Sequence, residues 1–168
     1  EDITFSTQAN TYLLISGIKE LTNSVIRNIA PNYAPFGTKG LIRMGKNTFY
    51  KTNWYWNLWS NLDNVIVQNN NFVENTSGTG SPNPHYNAAF HLTGTNSNIQ
   101  NNNIISNRHL IASFGTQDQI LLRNQYWGRS SAGHLSQAWD FNDDANLPLF
   151  AVNPVLSQPS ANAPAVVW

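Results

Sequence analysis

The chain has 168 residues, enough for one domain with a core of its own and no need of staples. Charged residues make up 11% of it and nine basic residues balance nine acidic ones, so it carries no electrostatic footprint for DNA, RNA or an anionic membrane. It has no cysteine, which excludes disulfides and thiolate metal sites, and no apolar run nears the ~18 residues of a membrane span.

The first residue is Glu1 rather than Met, and no charged-then-apolar signal peptide opens the chain. It begins directly on strand-like sequence, ITFSTQ and TYLLIS, with no amphipathic helix to cover a first layer. Edge strands left in that state invite pairing, so an upstream domain or a stacked subunit is expected at this end. The chain is expected to be the C-terminal part of a longer protein. Further on, WYWNLW spans 54–59. Strand alternation puts Trp54 and Trp56 on one face and Tyr55 on the other, and both faces cannot be core. Trp54, Tyr55, Trp56 and Trp59 are therefore the candidate ligand-binding residues, because flat aromatic faces stack on sugar rings. Packing over the end of the fold and contact with another protein are the competing uses of such residues.

A repeat then becomes visible. Val67-Gln68-Asn69-Asn70-Asn71-Phe72 superimposes on Ile99-Gln100-Asn101-Asn102-Asn103-Ile104, and next on Leu122-Arg123-Asn124-Gln125-Tyr126-Trp127. Ile26-Arg27-Asn28 aligns more weakly upstream. Positions 26, 67, 99 and 122 lie 41, 32 and 23 residues apart. The middle interval contains TSGTGSPNPHY at 76–86, a Gly/Pro/Ser-rich stretch that reads as an inserted loop. A period of 21–23 with insertions at one corner is the mark of a solenoid. The strands TYLLIS, SVIR, NVIVQ, AAFHL, LIASF and QILLR are too short for stable helices and are bounded by turn residues.

Asparagine is a poor strand former, but it tolerates the left-handed region that a sharp corner needs. Stacking units ~4.8 Å apart places each inward turn residue above its equivalent. Asn28, Asn69, Asn101 and Asn124 are thus expected to form a hydrogen-bonded ladder that satisfies buried turn backbone, with no chemistry of their own. Leu62 to Phe72 fits a leucine-rich-repeat template, but the later units lack its leading leucine and helical return. A β-sandwich gives no reason to repeat IQNNN, and the hexapeptide of a left-handed β-helix is absent. The expected fold is all-β, a right-handed parallel β-helix (a single-stranded solenoid) of about five to six coils. It covers residues 1–158 including a terminal cap from about 128, with a C-terminal tail at 159–168.

Two constellations could carry chemistry. In D-F-N-D-D-A-N, residues Asp140, Asn142, Asp144 and Asn146 alternate as in an acidic calcium loop. Ala145 stands where that loop needs glycine and Ala151 where it needs a closing glutamate, so a solvated turn is the competing reading. His85, Tyr86, His91, Arg108 and His109 form the second set: a base and a cation are what a metal-free polysaccharide lyase uses at a uronate. No zinc spacing occurs. Asp63 and Asp118 each precede a strand and read as turn residues. Asn75-Thr76-Ser77 fits the glycosylation sequon.

From 118 onward the chain resembles the end of the right-handed parallel β-helix repeat family, the pectate-lyase-like superfold. The resemblance rests on Asn124-Gln125-Tyr126-Trp127-Gly128, Asp143-Asp144 and Asn153-Pro154-Val155-Leu156. Members of that family include polysaccharide lyases, hydrolases and epimerases, adhesins, tail proteins and non-catalytic repeat domains. The resemblance implies a secreted or cell-surface module. The expected function is non-catalytic, binding a polysaccharide or surface glycan or serving as a structural or adhesion element, with no cofactor beyond the calcium that Asp140–Asp144 would suit. The alternatives are a small polysaccharide lyase or glycoside hydrolase using His85, His91, Arg108 and His109, and a self-assembling subunit that stacks through its bare N-terminal coil.

Overall fold

The computed structural model describes residues 4–6, 19–28, 42–54, 64–77, 90–92, 96–107, 111–113, 119–128 and 137–165. These residues are all-β, with short strands and no helix. Two large parallel sheets dominate. One contains six strands: Glu20–Thr22, Arg43–Gly45, Ile66–Gln68, Asn98–Gln100, Gln119–Arg123 and Leu149–Val152. The other contains five: Thr4–Ser6, Val25–Arg27, Thr48–Tyr50, Asn71–Val73 and Asn103–Ile105. A three-stranded sheet joins Phe90–Leu92, Ile111–Ser113 and Ala138–Trp139, and Asn53–Trp54 pairs with Thr76–Ser77. Within each sheet the spatial order follows the chain order, so each pass of the chain lays one strand beside the last. That arrangement is compatible with a parallel β-helix or solenoid.

The three-residue strands exist because one apolar side chain per strand points inward and its neighbours point out. Leu21, Met44, Val67, Ile99 and Leu122 are all buried and lie in register across the six-stranded sheet. Ile26, Phe49, Phe72 and Ile104 form the matching row of the five-stranded sheet. Both rows belong to one core with Ile120, Trp127 and Phe150. Phe49 and Phe72 stack with ring centroids 5.0 Å apart and planes 6° from parallel.

The registers correct the sequence alignment in two places. Val67, Ile99 and Leu122 do stack on one another, but Ile26 does not belong to their row. Ile26 packs on Phe49 in the five-stranded sheet, and the row of Val67 runs back through Met44 to Leu21. The unit that begins at Arg43-Met44-Gly45 is thus a full repeat, although only Asn47 remains of the IQNNN lettering. Thr76 and Ser77, expected to open an inserted loop, are a strand of the repeat itself.

The corner between the two large sheets takes two residues. Its first residue is left-handed: φ is 51° at Asn23, 56° at Lys46, 59° at Asn69, 58° at Asn101 and 51° at Asn124. Its second residue, Ser24, Asn47, Asn70, Asn102 or Gln125, is buried. The expected ladder of Asn28, Asn69, Asn101 and Asn124 is therefore one residue out of register. The left-handed residue projects its side chain away from the core, and the next residue turns inward. Asn28 sits at a different corner altogether (φ 55°), in line with Lys51, Glu74 and Ser106.

The true ladder bonds each repeat to the next. Oδ1 of Asn70 accepts from Asn47 N and Nδ2, both at 3.0 Å. Oδ1 of Asn102 accepts from Asn70 N (3.0 Å) and Nδ2 (2.9 Å), and Gln125 Oε1 accepts from Asn102 N (3.2 Å). Backwards, the same amides donate to Leu21 O, Met44 O, Val67 O and Ile99 O. A second column does the same at the next corner. Thr52 donates to Asn75, Asn75 to Asn107 and Asn107 to Gln137. Neutral carboxamides suit this place because each offers a donor and an acceptor without burying charge.

Candidate functional site

Trp54 lies opposite Ser77 in the small parallel pair, and Tyr55, Trp56 and Trp59 lie outside the described residues. His91 occupies the middle of Phe90–Leu92, opposite Ala112. His85, Tyr86, Arg108 and His109 lie outside the described residues.

The Asp140–Asp144 segment is described in full. Asp140 is buried, and both of its carboxylate oxygens serve the loop. Oδ1 accepts from Asn142 N (3.0 Å) and Nδ2 (3.1 Å), and Oδ2 accepts from Phe150 N (2.8 Å). Asp143 Oδ2 accepts from Asp140 N, and Asp144 Oδ1 accepts from Asn146 N and Nδ2. Asp143 and Asp144 thus fold back onto their own turn, as short Asx side chains do, while Asp140 also ties the turn to the strand Leu149–Val152. Among the described residues no three His, Asp or Glu side chains gather as a metal-binding group. Asp140→Asn is expected to cost about 2 kcal/mol, because a charge-assisted bond to a buried amide is exchanged for a neutral one. Thermal unfolding with calcium or with a chelator should give the same midpoint for the unmodified chain. A calcium-dependent rise in that midpoint, lost in Asp140→Asn, would establish a calcium site there.

The sequon asparagine is closed to sugar. Asn75 is 0% exposed, and its Nδ2, the atom a glycan would take, donates to Phe49 O at 3.1 Å and Asn107 Oδ1 at 2.8 Å.

A surface unmarked by the sequence motifs is more complete. The first and third residues of each strand in the six-stranded sheet face out. In register, the third positions are Thr22, Gly45, Gln68, Gln100 and Arg123, and the first positions include Glu20, Arg43, Ile66 and Asn98. Gly45 leaves a gap in the row. A Cβ built there would meet Arg43 Nε at 3.6 Å, so the arginine side chain leans across the glycine into the vacant place. The outward row then offers guanidinium, amide, amide and guanidinium on successive strands, about 4.8 Å apart. Ile66 and Leu121, 37% and 41% exposed, supply apolar patches beside it. Planar groups with paired donors suit hydroxyl and ring oxygens, and the aliphatic residues suit the C–H faces of a sugar. The signal was available in the sequence: the residue just before each asparagine block is long and polar at Gln68, Gln100 and Arg123.

The charged corner nearby is of another kind. Lys51 Nζ lies 3.6 Å from Glu74 Oε2 and 4.9 Å from the centre of the Tyr50 ring. Its pKa is raised, first by the hydrogen bond with Tyr50 and then by the charges of Tyr50 and Glu74. Lys51 is already protonated at neutral pH, so this pair is a solvent-exposed tie between repeats and not a proton carrier.

No family model, curated protein or solved structure matches the chain. The functional reading therefore rests on the residues themselves.

Proposed function

We propose that the chain is a right-handed parallel β-helix module of about five to six coils, secreted or displayed at a cell surface, which binds a linear glycan without cleaving it. The observation that carries this reading is the outward row of Arg43, Gln68, Gln100 and Arg123. A polymer with a regular repeat is the natural partner of a surface whose recognition groups recur at a regular rise, because each coil can meet one or part of one sugar in the same way. The low charge and abundant neutral polar side chains favour hydroxyl-rich partners over ionic ones. In this reading the aromatic run from Trp54 to Trp59 provides a further stacking surface. The buried asparagines are consumed by the framework, which leaves the outer rows to recognise the ligand.

A panel of neutral and acidic polysaccharides tests this, read both by retention on immobilised ligand and by turnover. Retention of at least one linear polysaccharide is expected, with no new reducing ends and no absorbance from unsaturated uronates. Gln100→Ala and Arg123→Ala should each weaken binding roughly fivefold, the effect of about 1 kcal/mol for an exposed hydrogen bond. Turnover abolished in His91→Ala would replace the binding reading with a lyase. Binding that survives Gln100→Ala, Arg123→Ala and Arg43→Ala together would move the site to the aromatic run.

A further inference from the structure

The outer face of the five-stranded sheet contains a second row of carboxamides, and the chain's own C-terminal segment covers it. Thr48, Asn71 and Asn103 are first residues of adjacent strands, in register along the sheet. Their neighbours in the same strands, Phe49, Phe72 and Ile104, point into the core, so these three side chains point out. Yet Asn71 is 0% exposed and Asn103 is 3% exposed. Asn103 Nδ2 donates to Asn71 Oδ1 at 2.8 Å, and Asn71 Nδ2 donates to Thr48 Oγ1 at 3.1 Å. The remaining capacity of the row goes to the tail. Ser160 N donates to Asn103 Oδ1 at 2.7 Å, and Asn71 Nδ2 donates to Pro164 O at 2.9 Å. Ala163, between those two contacts, is buried at 9%.

Three features say that this groove reads a peptide and does not merely support a loop. It engages main-chain groups of the tail, one N–H and one C=O, so covalent attachment to the same molecule is not part of the recognition. The segment that leads into it, Ser157-Gln158-Pro159, is exposed throughout. Just before that segment, Leu156 N is tied to Gln125 O at 2.9 Å, so the sheet end keeps its own anchor when the tail leaves.

We propose that the Thr48–Asn71–Asn103 row is a peptide-docking groove whose partner is the C-terminal segment of this chain, taken in cis here and from a second copy in trans. Exchange of tails then links two molecules through an interaction each already makes with itself. It is separate from the glycan-facing row, which lies on the other large sheet.

The test uses the 168-residue chain carrying Ser160→Pro, which removes the N–H that Asn103 accepts and so weakens the resident tail. A fluorescent peptide with the sequence of residues 157–165 should bind this chain saturably. Binding should fall at least tenfold when the peptide itself carries Ser160→Pro, and likewise when the chain also carries Asn103→Ala. Absence of saturable binding to a folded Ser160→Pro chain, or equal binding of both peptides, would overturn the proposal. A second measurement covers a variant that does not fold: two differently tagged unmodified chains, mixed at high concentration, should yield a mixed-tag dimer that excess free peptide dissolves. A dimer indifferent to the peptide, or none at any concentration, counts against tail exchange.

Discussion

Asn70→Ala is expected to destabilise the protein by about 4 kcal/mol, a large share of the roughly 5–15 kcal/mol that holds a domain of this size together. The side chain is 0% exposed and serves both neighbouring repeats. Its oxygen accepts from Asn47 N and Nδ2, and its nitrogen lies within 3.0 Å of Met44 O, Gln68 O and Asn102 Oδ1. Alanine leaves two buried donors of Asn47 without their acceptor and removes the side-chain donor to Met44 O, and each orphaned group costs about 1–3 kcal/mol. The unfolding midpoint should fall by roughly 10–15 °C. Asn69→Ala is the internal control. Asn69 is the preceding residue of the same triplet, yet it is only half-buried, and its chief asset is tolerance of φ 59°. Its loss should cost about 1 kcal/mol. Urea unfolding of the two variants side by side decides the matter. Equal losses, or a larger loss at Asn69, would return the ladder to the register expected from sequence.

The second large effect concerns the aromatic row. Phe49 is 0% exposed and stacked on Phe72, so Phe49→Ala should cost about 3–5 kcal/mol in transfer and cavity terms, with up to ~1 kcal/mol more from the lost ring pair. Phe49→Leu should cost about 1 kcal/mol, since most of the volume remains. The shape of the transition carries further information. In a stacked array each unit is stabilised by its immediate neighbours, so a defect at a middle unit weakens the coupling between the halves. Phe49→Ala should then unfold with a smaller denaturant dependence than the parent, or in two steps. An unchanged slope with a simple shift of midpoint would speak for a globular core without such stacking.

What could be read in the sequence, and what could not, follows from these same contacts. The parallel all-β character was legible because Val67, Ile99 and Leu122 are each an inward residue followed by a long polar residue and then by a corner that opens on asparagine. Three consecutive asparagines, however, offer three candidates for one inward place. Only backbone φ decides among them, and a residue name does not display φ. A clue lay in the less tidy units: Lys46 holds the corner position equivalent to Asn69, and a lysine does not belong inside, whereas Ser24, Asn47 and Gln125 at the next position all do. The unit centred on Met44 was hidden for the converse reason. Its geometry matches the others, but Gly45 and Lys46 stand where its neighbours have Gln and Asn. The outward row of Arg43, Gln68, Gln100 and Arg123 is not marked by any local motif, because its members come singly from several repeats. The Asp140 loop carries two readings in one lettering: alternation of acidic residues is a property of Asx turns as much as of calcium loops.

The step from one amide to the next along the ladder is 23 residues from Asn47 to Asn70 but 32 from Asn70 to Asn102. The bonds are nonetheless equivalent, at 3.0 and 2.9 Å. The additional residues fall between Ser77, still aligned with Trp54, and Asn96, which pairs with Asn64. The rungs neither stretch nor tilt to accommodate them. Length variation is thus decoupled from the framework. Such a fold has a natural grafting interval: new sequence can be spliced in between Ser77 and Asn96, or old sequence trimmed, while the amide columns continue to hold the adjoining repeats at an unaltered spacing.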